Sequence, residues 1–409
     1  MRIIWSLPVR GERLSSSRGD LVRARRLIEA LQAQGHELEV VADADTLRSR
    51  LSVSSYRRLV RRVPPARLAL VLRDVGRWLH ARGLAQRVAS RAREQGAELL
   101  IETQVGFAGS GALAARLTGL PLILDDCSPS LEEEVLGAGL PGLARQVLAR
   151  QACAATAVVA VTPEVKERLV AEGLPAHKLR VVPNGVALSE HEGLDGLAVR
   201  RRLGLDGALV IGYAGSFQPW HRVERLVSAF ARLPRDLPSS LLLVGEGITR
   251  ATIEAMVLSW GLAERVRFPG AVPLEELPSL LAAFDVAVLP ATNPYGHPMK
   301  LLEYAAAALP IVAPDVSTVR PIVSHEETGL LFPDADEPAL SETLARLLGD
   351  ATLRERLGRR ARASVGPEAS WESRAAQLLE GVPVCQPVAR PPSRAPQREP
   401  GLSRAEVEP

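Results

Sequence analysis

Cysteine is scarce: the 409 residues hold three, Cys127, Cys153 and Cys385, and no two of them have CxxC spacing. That excludes a disulfide framework and a cysteine-held zinc site, and a reducing cytoplasm is the compartment such usage implies. Aromatic residues are also few, 4% of the chain. They are not interleaved with basic residues as a stacking module requires, so nucleic acid is not an expected partner. The most apolar internal run, Ala152 to Val161, falls far short of the roughly 20 residues a membrane helix needs. Met1 to Val9 reads as a buried strand ended by Pro8 and Arg10, without the apolar core and small-residue cleavage site of a secretory leader. A soluble or membrane-peripheral protein is expected.

What the sequence does contain is an ordinary globular balance, 46% hydrophobic and 24% charged residues, in a chain long for one core. Two domains with a cleft between them are the size-based expectation, and clefts between domains are where small ligands bind. Residues 1 to 190 carry 27 Lys/Arg against 20 Asp/Glu, and the remainder 23 against 27. Most of the basic excess lies between Thr46 and Arg93, where thirteen arginines face one acid, Asp74, among Leu, Val, Tyr56 and Trp78. Two readings stay open there. One is the solvated faces of two amphipathic helices; the other is a surface for anionic lipid headgroups or an anionic acceptor, each basic residue near such a membrane contributing roughly 1 kcal/mol.

Short apolar runs at Ile3 to Leu7, Leu38 to Val41, Leu99 to Ile101, Leu122 to Leu124 and Val158 to Val161 alternate with longer segments of helical period. The rhythm restarts at Val210 to Tyr213, Leu241 to Val244, Val266 to Phe268, Val286 to Leu289, Ile311 to Ala313 and Gly329 to Phe332. Two α/β, doubly wound, Rossmann-like domains follow. Residues 1–186 form the first, 187–206 a connector, 207–365 the second and 366–382 a last helix. From Pro383 to Pro409 the Pro, Arg, Ser and Glu content predicts disorder.

Candidate chemistry gathers in the second half. A strand ends at Ala214-Gly215-Ser216, and His221 and Arg222 stand before the next amphipathic helix. Glycine lets backbone approach a ligand, and a helix N-terminus offers free N–H groups and positive dipole to a diphosphate. Gly245-Glu246-Gly247 ends the next strand. The strongest local signal is His297-Pro298-Met299-Lys300-Leu301-Leu302-Glu303-Tyr304, after the loop Asn293-Pro294-Tyr295-Gly296. Pro298 starts a helix that presents Lys300 to an anion, with Glu303 one turn on, able to accept from a ribose diol. Each of these pieces alone is equally consistent with a structural turn or a capped helix.

In their order, these motifs resemble the group 1, or family 4, retaining glycosyltransferases of the GT-B fold, over residues 1–381. The matching pieces are Arg18-Gly19 upstream of Gly35-His36-Glu37, Thr162-Pro163-Glu164, Val182-Pro183-Asn184-Gly185-Val186, Gly215 with its loop, Gly245-Glu246-Gly247, Phe268-Pro269-Gly270-Ala271-Val272, Asp285 to Pro290, and the block ending in Glu303. Ser370-Trp371-Glu372 resembles the family's final helix, which returns to the first domain. The resemblance implies a nucleotide diphosphate sugar as donor substrate, no metal and no further cofactor. It places the base near Ala271, Val272 and Leu277, and the ribose on Glu303. The diphosphate falls near Gly19, Ser216, His221 and Leu301-Leu302, and the sugar near His297, Pro298, Met299 and Lys300. A hydroxyl-bearing acceptor (glycan, lipid-linked sugar or small molecule) enters from the first domain.

Three departures from the family pattern stand out, at four positions. Ser216 and His221 stand where a basic pair is usual, which replaces one cation by a titratable donor. Tyr295 occupies the place of the first Glu of the E-x7-E pattern, and Lys300, together with Arg222, can restore the charge. Asp126, with Asp125 beside it, is a candidate to orient an acceptor hydroxyl or else a helix cap; Glu102 is a similar candidate. A nucleotide-sugar epimerase and a non-catalytic nucleotide-sugar-binding subunit remain as alternatives.

Overall fold

The computed structural model describes residues 1–8, 18–42, 66–105, 109–126, 139–234 and 237–383. Cys127, Cys385, the side chain of Asp126, the predicted tail beyond Pro383 and the basic stretch before Ala66 lie outside them.

Six parallel strands form the first sheet: β1 (Arg2–Leu7), β2 (Glu37–Ala42), β3 (Leu99–Thr103), β4 (Leu122–Asp126), β5 (Ala157–Ala160) and β6 (Leu179–Val181), in the order β2-β1-β3-β4-β5-β6. A second parallel sheet holds β7 (Leu209–Ala214), β8 (Ser239–Val244), β9 (Val266–Gly270), β10 (Val286–Val288), β11 (Ile311–Pro314) and β12 (Gly329–Phe332), in the order β12-β11-β10-β7-β8-β9. Continuous apolar runs suit this arrangement, because helices on both faces bury strand residues of either parity. All residues of β3, β5, β8 and β11 are buried. In each sheet the strand order reverses once, between β1 and β3 and between β7 and β10. Such a reversal opens a crevice beyond the carboxyl ends of the strands.

The helix Trp371–Leu379 returns to the first half. Trp371, Ala375 and Leu378 join the core formed by β1 and the helix Gly19–Ala33. Ser370 caps it, accepting from the Ser373 N–H, and pairs with Val186 in a parallel bridge. Gly185 permits that approach: a Cβ there would lie 2.9 Å from the Trp371 backbone and ring. After the crossing, Gly196–Leu203 is helical, with Val199 packed into the second core.

Of the basic region only the part from Ala66 onward is described, so the two-helix expectation for its first part lies outside the described residues. From Ala66 onward it is one 30-residue helix, Ala66–Gln95. Its C-terminal portion is anchored by Leu84, Ala85, Val88, Ala89 and Ala92. Asp74 is not solvated but fully buried, accepting from the Gly139 and Leu140 N–H groups.

Candidate active site

The second reversal point assembles the glycine turns. At the end of β7, Gly215 lies at φ 151°, and at the end of β8, Gly245 lies at φ 133°. Any Cβ on Gly245 would collide with the Gly215 carbonyl, so only glycine lets the two loops stack. The Gly245 N–H donates to Gly270 O at 2.9 Å, which brings in the loop after β9. Glu246 faces Arg250 at 3.0 Å.

Across β10, the helix Met299–Ala306 starts at Pro298. Helix geometry leaves the Met299 and Lys300 N–H groups without intrahelical acceptors. Tyr304 ties the helix to the sheet: its hydroxyl accepts from the Ala214 N–H at 2.9 Å. The Lys300 side chain lies over the glycine turn, where a Gly215 Cβ would meet its Cε at 2.8 Å and its Nζ at 3.1 Å. Its ammonium sits 5.1 Å above the Tyr213 ring and within 3.3 Å of the His221 imidazole. Burial pulls Lys300 down to about 7, partly offset by the Glu303 charge, and pushes Glu303 up to about 7, opposed by Arg26 and Lys300.

His221 does not behave as the titratable donor expected of it. Burial, and then the charge of Lys300, push it down to about 2, so it is neutral at any working pH. Lys300 is the cation that lies over the Gly215 turn, and Arg250 donates to Gly245 O at 3.4 Å on the stacked turn beside it. Arg222 adopts a left-handed conformation at φ 47° and turns outward, 3.6 Å from Glu224.

Glu303 opens onto a crevice between the halves, with Leu277 and Pro278 on one side and Val22, Arg26 and Glu190 on the other. Arg26 and Glu190 make a bidentate pair at 2.6 Å. Gly19 meets Met299 across the crevice, 3.6 Å from the methyl carbon to the place of a Cβ. Ala271 is exposed and Val272 half-buried at the rim. The side chains of Leu301 and Leu302 are core residues, and the Leu301 N–H donates to Pro298 O, so any diphosphate contact there belongs to neighbouring backbone.

On the acceptor side, Asp125 faces inward, and the segment it was expected to cap lies outside the described residues. It is fully buried and paired with Arg23 at 2.9 Å. Glu102 is sealed in as well: Ser6, Ser110 and the Gly111 N–H all donate to one oxygen, and burial pushes its carboxyl up to about 7. Tyr295 stands at the place of the first Glu of the E-x7-E pattern. Its ring enters the core of the first half, beneath the Arg168 guanidinium at 5.2 Å, instead of lining a sugar pocket.

Sequence reasoning gave no role to Arg23, Arg26, Asn184, Glu190, Tyr213 or Tyr304. The two tyrosines stood inside quoted motifs, and Asn184 in a turn. The arginines and Glu190 carry no local signal, because their partners are distant in sequence.

Two facing, doubly wound parallel sheets, with a lysine and a glutamate over stacked glycine turns, define the GT-B class of sugar-transferring enzymes. Two sequence-family models match, Glycosyltransferase Family 4 over residues 21–190 and Glycosyl transferases group 1 over residues 198–364. The chain belongs to the group 1 and family 4 glycosyltransferases. It is 29% identical over 268 residues to an exopolysaccharide phosphotransferase of Streptomyces coelicolor, covering 64% of this chain and 26% of that one. To a GDP-mannose-dependent alpha-(1-6)-phosphatidylinositol monomannoside mannosyltransferase of Mycobacterium tuberculosis it is 27% identical over 304 residues, 71% of this chain and 78% of that one. The crystal structure of Anabaena HepE in complex with UDP shares the fold, with a TM-score of 0.70 at 18% identity, covering 93% of this chain and 99% of that one.

Proposed function

We propose that the chain transfers a hexose-type sugar, with retention, from a nucleotide diphosphate sugar to a hydroxyl acceptor in glycan, polysaccharide or glycolipid biosynthesis. The observation that carries this reading is the Lys300 ammonium over the Gly215 turn, with Glu303 one helical turn away facing the pocket between the halves. The lysine and the first N–H groups of its helix stabilise the leaving diphosphate, in the role a metal ion plays elsewhere, and Glu303 accepts from the ribose diol. The bond from the anomeric carbon to the diphosphate breaks, and one to the acceptor oxygen forms on the same face. The acceptor proton passes to the departing diphosphate oxygen. Asp125 and Glu102 are both engaged inside the first half, so neither of these two carboxylates serves as a base in this route.

Calorimetric titration with UDP, GDP, ADP and dTDP in EDTA tests the donor site. Micromolar binding of one nucleotide, lost in Glu303→Ala, is expected; no binding of any would sink the reading. Relatives differ in what their names give, GDP-mannose for one and UDP for another, so all four bases are included.

The exposed face of the Ala66–Gln95 helix is proposed to lie on an anionic membrane at the inner, cytoplasmic side. Leu68, Leu72, Val75 and Leu79 recur at helical spacing and are 38–58% exposed, and Arg82 stacks on Trp78 at 4.3 Å. Among the described residues, no helix is long and apolar enough to cross a membrane.

A further inference from the structure

A chain of hydrogen bonds runs from the floor of the first half to the loop beside Lys300. Arg23, fully buried, spends all five of its N–H groups. The Nε donates to Asp125 at 3.0 Å, Nη2 to Asp125 at 2.9 Å and to Val182 O at 3.0 Å, and Nη1 to Pro183 O at 3.1 Å and to Asn184 Oδ1 at 3.0 Å. A guanidinium only donates, so the Asn184 amide is held with its oxygen toward Arg23 and its NH2 turned away. That NH2 donates to the carbonyl of His297 at 2.8 Å.

The same loop is gripped twice more from the first half. Thr162 Oγ1, which also caps the helix Pro163–Ala171, donates to Tyr295 O at 3.0 Å, and Arg168 covers the Tyr295 ring. Residues 293–298 therefore belong by sequence to the second half and by contact to the first. The helix that follows is anchored separately, through Tyr304 to Ala214 and through Leu301 and Leu302 in the second core.

We propose that Asn184 is a positioning residue that sets the donor-sugar subsite by holding the 293–298 loop against the first half. The inference rests on the functional reading above. Groups assigned to the nucleotide, Gly215, Lys300 and Glu303, keep their places without this contact, whereas the backbone at His297, assigned to the sugar, does not. Losing the contact separates recognition of the sugar from recognition of the nucleotide.

The test is Asn184→Asp, which keeps an oxygen toward Arg23 and replaces the donor facing His297 by an acceptor. Calorimetry is run with UDP and UDP-glucose, and with GDP and GDP-mannose. For the nucleotide that the wild type binds, the variant should keep its affinity within about twofold, while the advantage of the sugar conjugate over the bare diphosphate falls about tenfold, the worth of one hydrogen bond. Arg168→Gln loosens the loop from a different anchor and should show the same split more weakly; it carries the test if Asn184→Asp does not fold. Equal loss on both ligands, or no change on either, overturns the positioning role. A wild type that binds no nucleotide overturns the reading of the site and this inference with it.

Discussion

Lys300 and Glu303 titrate in the same range for the same cause, burial, but the nucleotide wants them in opposite directions. A diphosphate favours the protonated lysine, whose pKa burial has lowered, so affinity falls as pH rises above about 7. A ribose diol needs the ionised glutamate, whose pKa burial has raised, so affinity falls as pH drops below about 7. Calorimetry between pH 5.5 and 9 should give a bell centred near neutrality. In Lys300→Ala the alkaline limb should vanish and binding at pH 7 weaken about 10- to 100-fold, the worth of a charge-assisted hydrogen bond. His221→Ala should leave both limbs in place, because its imidazole is neutral throughout. An alkaline limb that survives in Lys300→Ala would remove the lysine from the site. At this scale the sequence was legible where chemistry and local structure coincide: Lys300 and Glu303 share one helix. It was silent where a side chain's partner lies on another element, as with Asp125, paired with Arg23, and Tyr295, packed in the first core.

Elements were the most readable level, since parallel strands covered on both faces favour apolar runs, and such runs mark eleven of the twelve described strands although Ser6, Glu39 and Arg267 interrupt β1, β2 and β9. The short β6 was visible only through the turn that closes it. The long helix was harder. Its N-terminal part exposes Leu68, Leu72 and Leu79 while its C-terminal part buries Leu84 and Val88, so no single apolar stripe runs along it. Close approach of elements is also invisible in a lone glycine. Gly185→Ala should show its cost: the added methyl meets the Trp371 backbone, whose relief requires the returning helix to shift. Overpacking of this kind costs about 1–3 kcal/mol, read as a lowered urea midpoint with unchanged slope. An unchanged midpoint would mean that the helix is loosely seated.

For the whole molecule, the charge asymmetry and the exposed stripe of the 66–95 helix make one prediction. Vesicles containing phosphatidylglycerol should sediment the protein and neutral phosphatidylcholine vesicles should not. Binding should fall with salt, and Leu72→Ser with Leu79→Ser should abolish most of it. Salt-independent binding, or equal binding to neutral vesicles, would discard the membrane face. The two halves were legible from the restart of the strand rhythm, but their mutual seating was not, because it depends on Asn184, Tyr295 and Trp371 meeting residues more than 100 positions away. That seating has a mechanical consequence. The chain passes between the halves near Gly185 and again near Ser370, and the two passages are bonded side by side, Val186 N–H to Ala369 O at 2.9 Å. Paired tethers of this kind resist pulling apart and sliding, and the Asn184–His297 and Thr162–Tyr295 bonds hold the halves from a third place, which opposes rotation about the tethers' common line.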